Sequence, residues 1–261
     1  SWLGLSTYTG TTTIGSTGIV SINNLQNGGD PSGIGASSNA ASNLIFNGAS
    51  ATQAYGGLNY TGTTNDATDR LFTFDGGANG GVRIQSNGVN GATSSWTNTG
   101  ALAFGSNATG NPQGLALGGA STGDNRFSPI ISDNGASATS VYKLDAGVWY
   151  LEATNTYTGP TTIRGGALYV NTGTSLPTAS NLVLDGGSIA RTGAFTRTLG
   201  TGANQVQFTA NAAGGFSAGG SSLTVDWGTG AVWGTGPFLG TGALLLNNSG
   251  VAKSDVDIVS G

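Results

Sequence analysis

Asp255 and Asp257 stand two positions apart in the run Asp255-Val256-Asp257-Ile258-Val259. In an extended strand both side chains leave the same side, roughly 6 to 7 Å apart, a separation that inverting glycosidases use for an acid and a base. Val256 and Ile258 account for the same alternation more simply, by pointing into a core and leaving the carboxylates in water. Asp66, Asp69 and Asp75 form the densest acidic neighbourhood and, with Asn65 and nearby glycine carbonyls, could offer oxygen ligands to Ca²⁺. Their spacing fits neither an EF-hand loop nor the Gly-Gly-x-Gly-x-Asp nonapeptide, so the favoured reading is solvated turns with Arg70 as a local partner. Tyr55, Tyr60, Trp96, Trp149, Trp227 and Trp233 could stack on sugar rings, but such residues more often pack along a core. Asn59-Tyr60-Thr61, Asn107-Ala108-Thr109 and Asn247-Asn248-Ser249 are formal glycosylation acceptors of a kind that an Asn- and Thr-rich chain produces by chance. No catalytic residue, cofactor-binding residue or metal ligand is assigned, and no cofactor is expected.

Composition narrows the chemistry further. Cys, His and Met are all absent, which removes thiol and imidazole chemistry and the commonest zinc and haem ligands. With a single Glu and scattered cations, an acid/base constellation is poorly supplied, so the chain is expected not to be an enzyme. A net charge of −4, with Lys and Arg forming no basic stripe, argues against nucleic acid as a partner. No run approaches the roughly 18 apolar residues of a membrane-spanning helix, so no membrane insertion of this segment is expected. The lack of Cys suits a protein exported unfolded across a bacterial envelope.

The elements that must carry these residues announce themselves by repetition. Thr7-Tyr8-Thr9-Gly10-Thr11-Thr12-Thr13-Ile14 recurs in seven of eight letters as Thr156-Tyr157-Thr158-Gly159-Pro160-Thr161-Thr162-Ile163. Each copy is followed by a second matched string, Ala41-Ser42-Asn43-Leu44-Ile45-Phe46-Asn47-Gly48 and Ala179-Ser180-Asn181-Leu182-Val183-Leu184-Asp185-Gly186. Motif order is kept while the spacing differs by about eleven residues, as in stacked coils with tolerant loops. Glycine makes up 48 residues and charge only 8%, a composition for short strands and positive-φ turns rather than helices. Alternation predicts strands at Thr11 to Ile14, Ile19 to Ile22, Leu44 to Phe46, Leu71 to Phe74, Val82 to Ile84, Ala101 to Phe104 and Leu115 to Leu117. It predicts others at Ser140 to Leu144, Val148 to Leu151, Thr161 to Ile163, Ala167 to Val170, Leu182 to Leu184, Val206 to Phe208, Leu223 to Val225, Leu244 to Leu246 and Val256 to Val259. A sandwich of hairpins would also use such strands, but a repeating motif string favours an all-β, right-handed parallel β-helix, a β-solenoid of about a dozen rungs. A fresh repeat begins near residue 139, dividing the chain into segments 1–139, with longer loops, and 140–261, continuous with the first.

Asn155-Thr156-Tyr157-Thr158-Gly159-Pro160-Thr161-Thr162-Ile163-Arg164-Gly165-Gly166-Ala167-Leu168, preceded by Leu144-Asp145-Ala146-Gly147-Val148-Trp149-Tyr150-Leu151, resembles the autotransporter-associated β-strand repeat, or passenger-associated repeat, of bacterial surface proteins. The first copy departs from that pattern, with Ser6 where Asn usually stands and Gly15-Ser16-Thr17-Gly18-Ile19 in place of a tighter Gly-Gly-x-Leu. The stretch around Gly214 to Gly220, Leu223 to Val225 and Phe238 to Leu246 is similar to segments found between such repeats. The resemblance implies a β-helical, exported, cell-surface or secreted passenger region of a larger protein, consistent with Trp2-Leu3-Gly4-Leu5 reading like the middle of a repeat. The expected role is a non-enzymatic structural or adhesive segment with a cell-surface or glycan ligand. The alternatives are a subunit that self-associates end to end into an extracellular filament, through open strand edges, and a carbohydrate-active β-helix.

Overall fold

The computed structural model describes residues 4–15, 17–49, 56–171, 174–228, 234 and 240–259. Among them the protein is all-β, with three short 3-10 turns and no α-helix. Sheet I runs through Ile19–Ile22, Gly56–Tyr60, Gly80–Ser86, Gln113–Gly118, Thr139–Lys143, Thr161–Ile163, Leu182–Leu184 and Gln205–Phe208, with Thr198–Leu199 at its far edge. Sheet II stacks Asp66–Thr68, Ser94–Trp96, Asn125–Phe127, Val148–Leu151, Ala167–Val170, Ser188–Thr196, Gly214–Asp226 and Leu244–Leu246, and Val256–Val259 joins the second half of Gly214–Asp226. Sheet III holds Thr12–Ile14, Leu44–Phe46, Thr73–Phe74 and Ala103–Phe104. Up to Ala103–Phe104 the chain passes through all three sheets, and beyond it between sheets I and II; strands of successive coils pair in parallel, which makes the fold a parallel β-solenoid.

Parallel pairing in register puts like side chains on top of one another. In sheet I, Leu58, Ile84, Leu117, Lys143, Ile163, Leu184 and Phe208 form one inward column, and Val82, Leu115, Val141, Thr161, Leu182 and Val206 form the next. Each fully buried apolar side chain contributes about 1.5–3 kcal/mol, so the columns supply most of the driving force for coiling. An aromatic cluster of Phe46, Phe72, Phe74, Trp96 and Phe127 fills the wider early coils, with several rings edge to face at 5.2–5.6 Å.

Strands with apolar inward positions form where alternation places them, and Ile19–Ile22, Leu44–Phe46, Val148–Leu151, Thr161–Ile163, Ala167–Val170, Leu182–Leu184, Leu244–Leu246 and Val256–Val259 have the expected limits. The run at Leu71 shortens to Thr73–Phe74, because Leu71 is partly exposed and begins the turn into sheet III. Gly56–Tyr60, Asp66–Thr68, Ser94–Trp96, Asn125–Phe127 and Ser188–Thr196 are strands that alternation does not announce. In sheet I, Thr139–Lys143 pairs with Gln113–Gly118 on one side and Thr161–Ile163 on the other.

Coil length varies widely. Tyr142 stands opposite Thr162 and Thr162 opposite Val183, steps of 20 and 21 residues, whereas Ile19 stands opposite Gly57, a step of 38. The extra length lies in loops, and buried cations fasten three of the turns and loops between strands. Arg70 is buried and donates to Ser37 Oγ at 2.9 Å and to the Gly35 carbonyl at 3.0 Å, holding the long first loop. Arg197 donates to the carbonyls of Ser180, Leu176 and Pro177 at 2.6 to 3.2 Å. Lys143, fully buried inside the aliphatic column, donates to the carbonyls of Asp145 at 2.8 Å and Gly165 at 3.1 Å, at the corner between sheets I and II. Burial lowers the pKa of all three, to about 7 for Lys143 and about 10 for Arg197. Three of the chain's eight Lys and Arg residues therefore serve the interior.

Candidate ligand-binding groove

The structure separates the acidic candidates rather than gathering them. Asp66 accepts from the Leu25 amide at 2.9 Å and the Thr64 hydroxyl at 2.8 Å. Asp69 accepts from the Gly28 amide at 2.7 Å and Asn39 Nδ2 at 2.8 Å, and Asp75 accepts from the amide and side chain of Asn107. Asp66 and Asp69 thus clip separate points of the long first loop and Asp75 clips the turn at Asn107, and among the described residues no cluster of three acidic side chains could hold a metal. Arg70 is not their ion-pair partner as expected; it turns inward to loop carbonyls, where its fork of donors satisfies several acceptors at once. Asp255 and Asp257 lie exposed while Val256 packs partly against the core, so they flank a strand that simply alternates. Ile258, expected inside, is 36% exposed at the outermost coil described, which leaves its side uncovered.

The aromatics that looked exposed are inside. Tyr60, Trp96, Trp149 and Trp227 are at most 4% exposed, so none of them is a sugar platform; Tyr55 and Trp233 lie outside the described residues. Trp149 donates its indole N–H to the Gly118 carbonyl at 2.8 Å, the usual requirement for a buried indole. The side-chain nitrogens of Asn59, Asn107 and Asn247 are committed to hydrogen bonds with Ser21, Asp75 and Ser254, so the glycosylation triplets are architectural.

What the outer face of sheet II does present is a stack one strand out from the core. The inward Trp149 and Leu168 force Tyr150 and Tyr169 outward, and parallel register sets the two rings 4.6 Å apart and nearly parallel. Arg126, opposite Tyr150 in the preceding coil, covers the other face of that ring at 4.8 Å. Gly219 abuts the Cε2–Cδ2 edge of the Tyr169 ring, so close that a Cβ there would sit 2.2 Å from it. Arg126 also pairs with Asp124 at 3.1 Å and with Glu152, which accepts from Ser128 at 2.7 Å. Burial and the Asp124 carboxylate push the Tyr150 hydroxyl up to about 12, so it stays a neutral donor.

Around this stack lies a groove of about 410 Å³ lined by Asp124, Arg126, Tyr150, Glu152, Tyr169 and Lys253. A second hollow of about 340 Å³ shares Glu152 and continues past Ser128 and Thr154. Tyrosine edges, carboxylates, hydroxyls and cations face this trough, while both faces of the Tyr150 ring are already in use. Sequence reasoning passed over Tyr150 and Tyr169; the signal that finds them is a pair of outward tyrosines 19 residues apart, each next to an inward Trp or Leu.

Residues 141–170, which include Tyr150, Tyr169 and the second octapeptide, match the family model described as passenger-associated-transport-repeat. The chain is also similar to the adhesin BmaC autotransporter of Brucella suis biovar 1 (strain 1330), 42% identical over 172 residues. That alignment covers 65% of this chain and 5% of the relative, so the chain spans a small part of the length of the relative it matches. No solved structure matches. Through residues 141–170 the chain carries the passenger-associated transport repeat of bacterial autotransporter surface proteins.

Proposed function

We propose that this chain is a non-enzymatic extracellular segment of a larger bacterial surface protein, a β-solenoid that carries an adhesive surface away from the cell. The observation behind this reading is the use made of its polar groups: carboxylates clip loops, buried cations cap carbonyls, and a sizeable polar groove is left on an outer sheet face. The similarity to an adhesin autotransporter supports an adhesin-like passenger role. No acid and base converge in the groove on a shared vacant point, because Glu152 and Asp124 are both held by Arg126.

An in-frame deletion of the segment from its full-length parent tests the reading. Antibody against the segment should stain intact cells, and the deletion should lower attachment to a host surface while leaving the rest of the parent on the cell. Staining only after the cells are broken would sink the extracellular assignment, and unchanged attachment would remove the adhesive role.

A further inference from the structure

We propose that the groove over Tyr150 and Tyr169 binds an acidic saccharide, held by hydrogen bonds and a salt bridge rather than by stacking on Tyr150. The inference rests on the adhesive reading above and names the ligand class. Both faces of Tyr150 are taken, one by Arg126 and the other by Tyr169. Recognition there is left to the polar groups around the ring. At one end of the groove the carboxylates of Asp124 and Glu152, sharing one guanidinium, keep a net negative charge and spare lone pairs that accept from sugar hydroxyls. Asp124 is 61% exposed along its side chain and open to such a donor.

At the other end Lys253 is exposed, lines the groove beside Gly219 and makes no ion pair among the described residues. Lys253 thus faces the groove with no carboxylate partner among the described residues, in a chain whose net charge is −4. A ligand that fits both ends must donate hydroxyls to the carboxylates and offer an anion to Lys253. A uronic acid chain does both; a neutral glycan leaves Lys253 unanswered, and a polyphosphate chain has no hydroxyls to give Asp124 and Glu152.

Calorimetric titration of the whole chain with trigalacturonate, galactotriose and a polyglutamate peptide tests this. Trigalacturonate should bind roughly two- to fivefold tighter than galactotriose, the worth of one partly exposed ion pair, and the margin should shrink with salt. Lys253→Gln should erase most of that margin, Tyr169→Phe should weaken both sugars alike, and Arg164→Gln, away from the groove, should change nothing. Equal affinity for the two sugars, or polyglutamate binding as tight as the uronate, would overturn the proposal. If the segment mediates attachment but binds neither sugar, the groove inference fails while the adhesive reading stands; if attachment is also absent, both fail.

Discussion

The two octapeptides make the same local structure in different settings. In each, the Tyr hydroxyl bonds the Thr four residues on, Tyr8 to Thr12 at 2.7 Å and Tyr157 to Thr161 at 2.8 Å. In each, the strand pairs in the same register with the second matched string, Thr12 with Leu44 and Thr161 with Leu182. Yet the first copy builds sheet III and the second builds sheet I, one face apart around the solenoid. Tyr8 is 39% exposed with its ring across Gly35, whereas Tyr157 is fully buried. The motif therefore encodes a turn and a strand, and coil length decides which face receives them. The first Thr of the strand points inward in both copies, which explains why Thr stands there instead of Val: it satisfies the hydroxyl of a ring packed over the turn.

The largest expected effect comes from truncating the two rings. Tyr157→Ala should cost about 3–5 kcal/mol, the usual loss for a large buried aromatic, and should also remove one hydrogen-bond partner of Thr161, which keeps its bond to Ser180 Oγ at 3.0 Å. Tyr8→Ala should cost about 1 kcal/mol or less, because water already reaches that ring. Denaturant unfolding of the two variants measures the gap, and equal losses would break the distinction between the copies.

Much of the fold could be read in advance because its columns are made of short apolar bursts, each legible alone, and because the two motif strings mark consecutive coils. The strands passed over, such as Asp66–Thr68 and Asn125–Phe127, put polar residues into the interior, where partners from other coils satisfy them; Asn125 Nδ2 reaches the Val148 carbonyl at 2.8 Å. That complement is 23 residues away and leaves no local trace. The buried cations were hidden likewise, since Lys143 in Val141-Tyr142-Lys143 looks like a strand end until register puts it between Leu117 and Ile163. At the groove, the Trp residues were no guide, because Trp96, Trp149 and Trp227 fill the core while Tyr150 and Tyr169 take the outward positions beside inward neighbours.

Lys143 sharpens the comparison, since it lies directly beneath Ile163 of the second copy, whereas Ile14 of the first pairs with Phe46. Burial pulls its ammonium down to about 7, partly opposed by Asp145, against an unfolded value of 10.5. Between these two values the unfolded chain holds the extra proton, so stability should rise with pH through that window, by up to about 1.4 kcal/mol per pH unit. Denaturation midpoints measured from pH 7 to 9.5, below the range where tyrosines ionise, should climb, and Lys143→Met should flatten the rise. A flat profile for the unmodified protein would mean that the carbonyls of Asp145 and Gly165 hold the charged form as well as water does.

The smallest effect isolates the turn itself. Gly159 and Gly10 occupy the same place in the motif, but a Cβ on Gly159 would lie 2.4 Å from the Thr139 carbonyl of the preceding coil, while Gly10 has open space within 4 Å. Neither is among the residues at positive φ, so the difference between them is purely the neighbouring coil. Gly159→Ala should cost about 1–3 kcal/mol, as overpacking against fixed backbone does. Gly10→Ala should be neutral or stabilising by about 0.4–1 kcal/mol, through the lower entropy of the unfolded chain. Had the glycine been required by the turn's own backbone, both substitutions would cost alike. Unequal losses would show that the second copy keeps its glycine for the coil beneath it, and that the first copy's glycine meets no such neighbour.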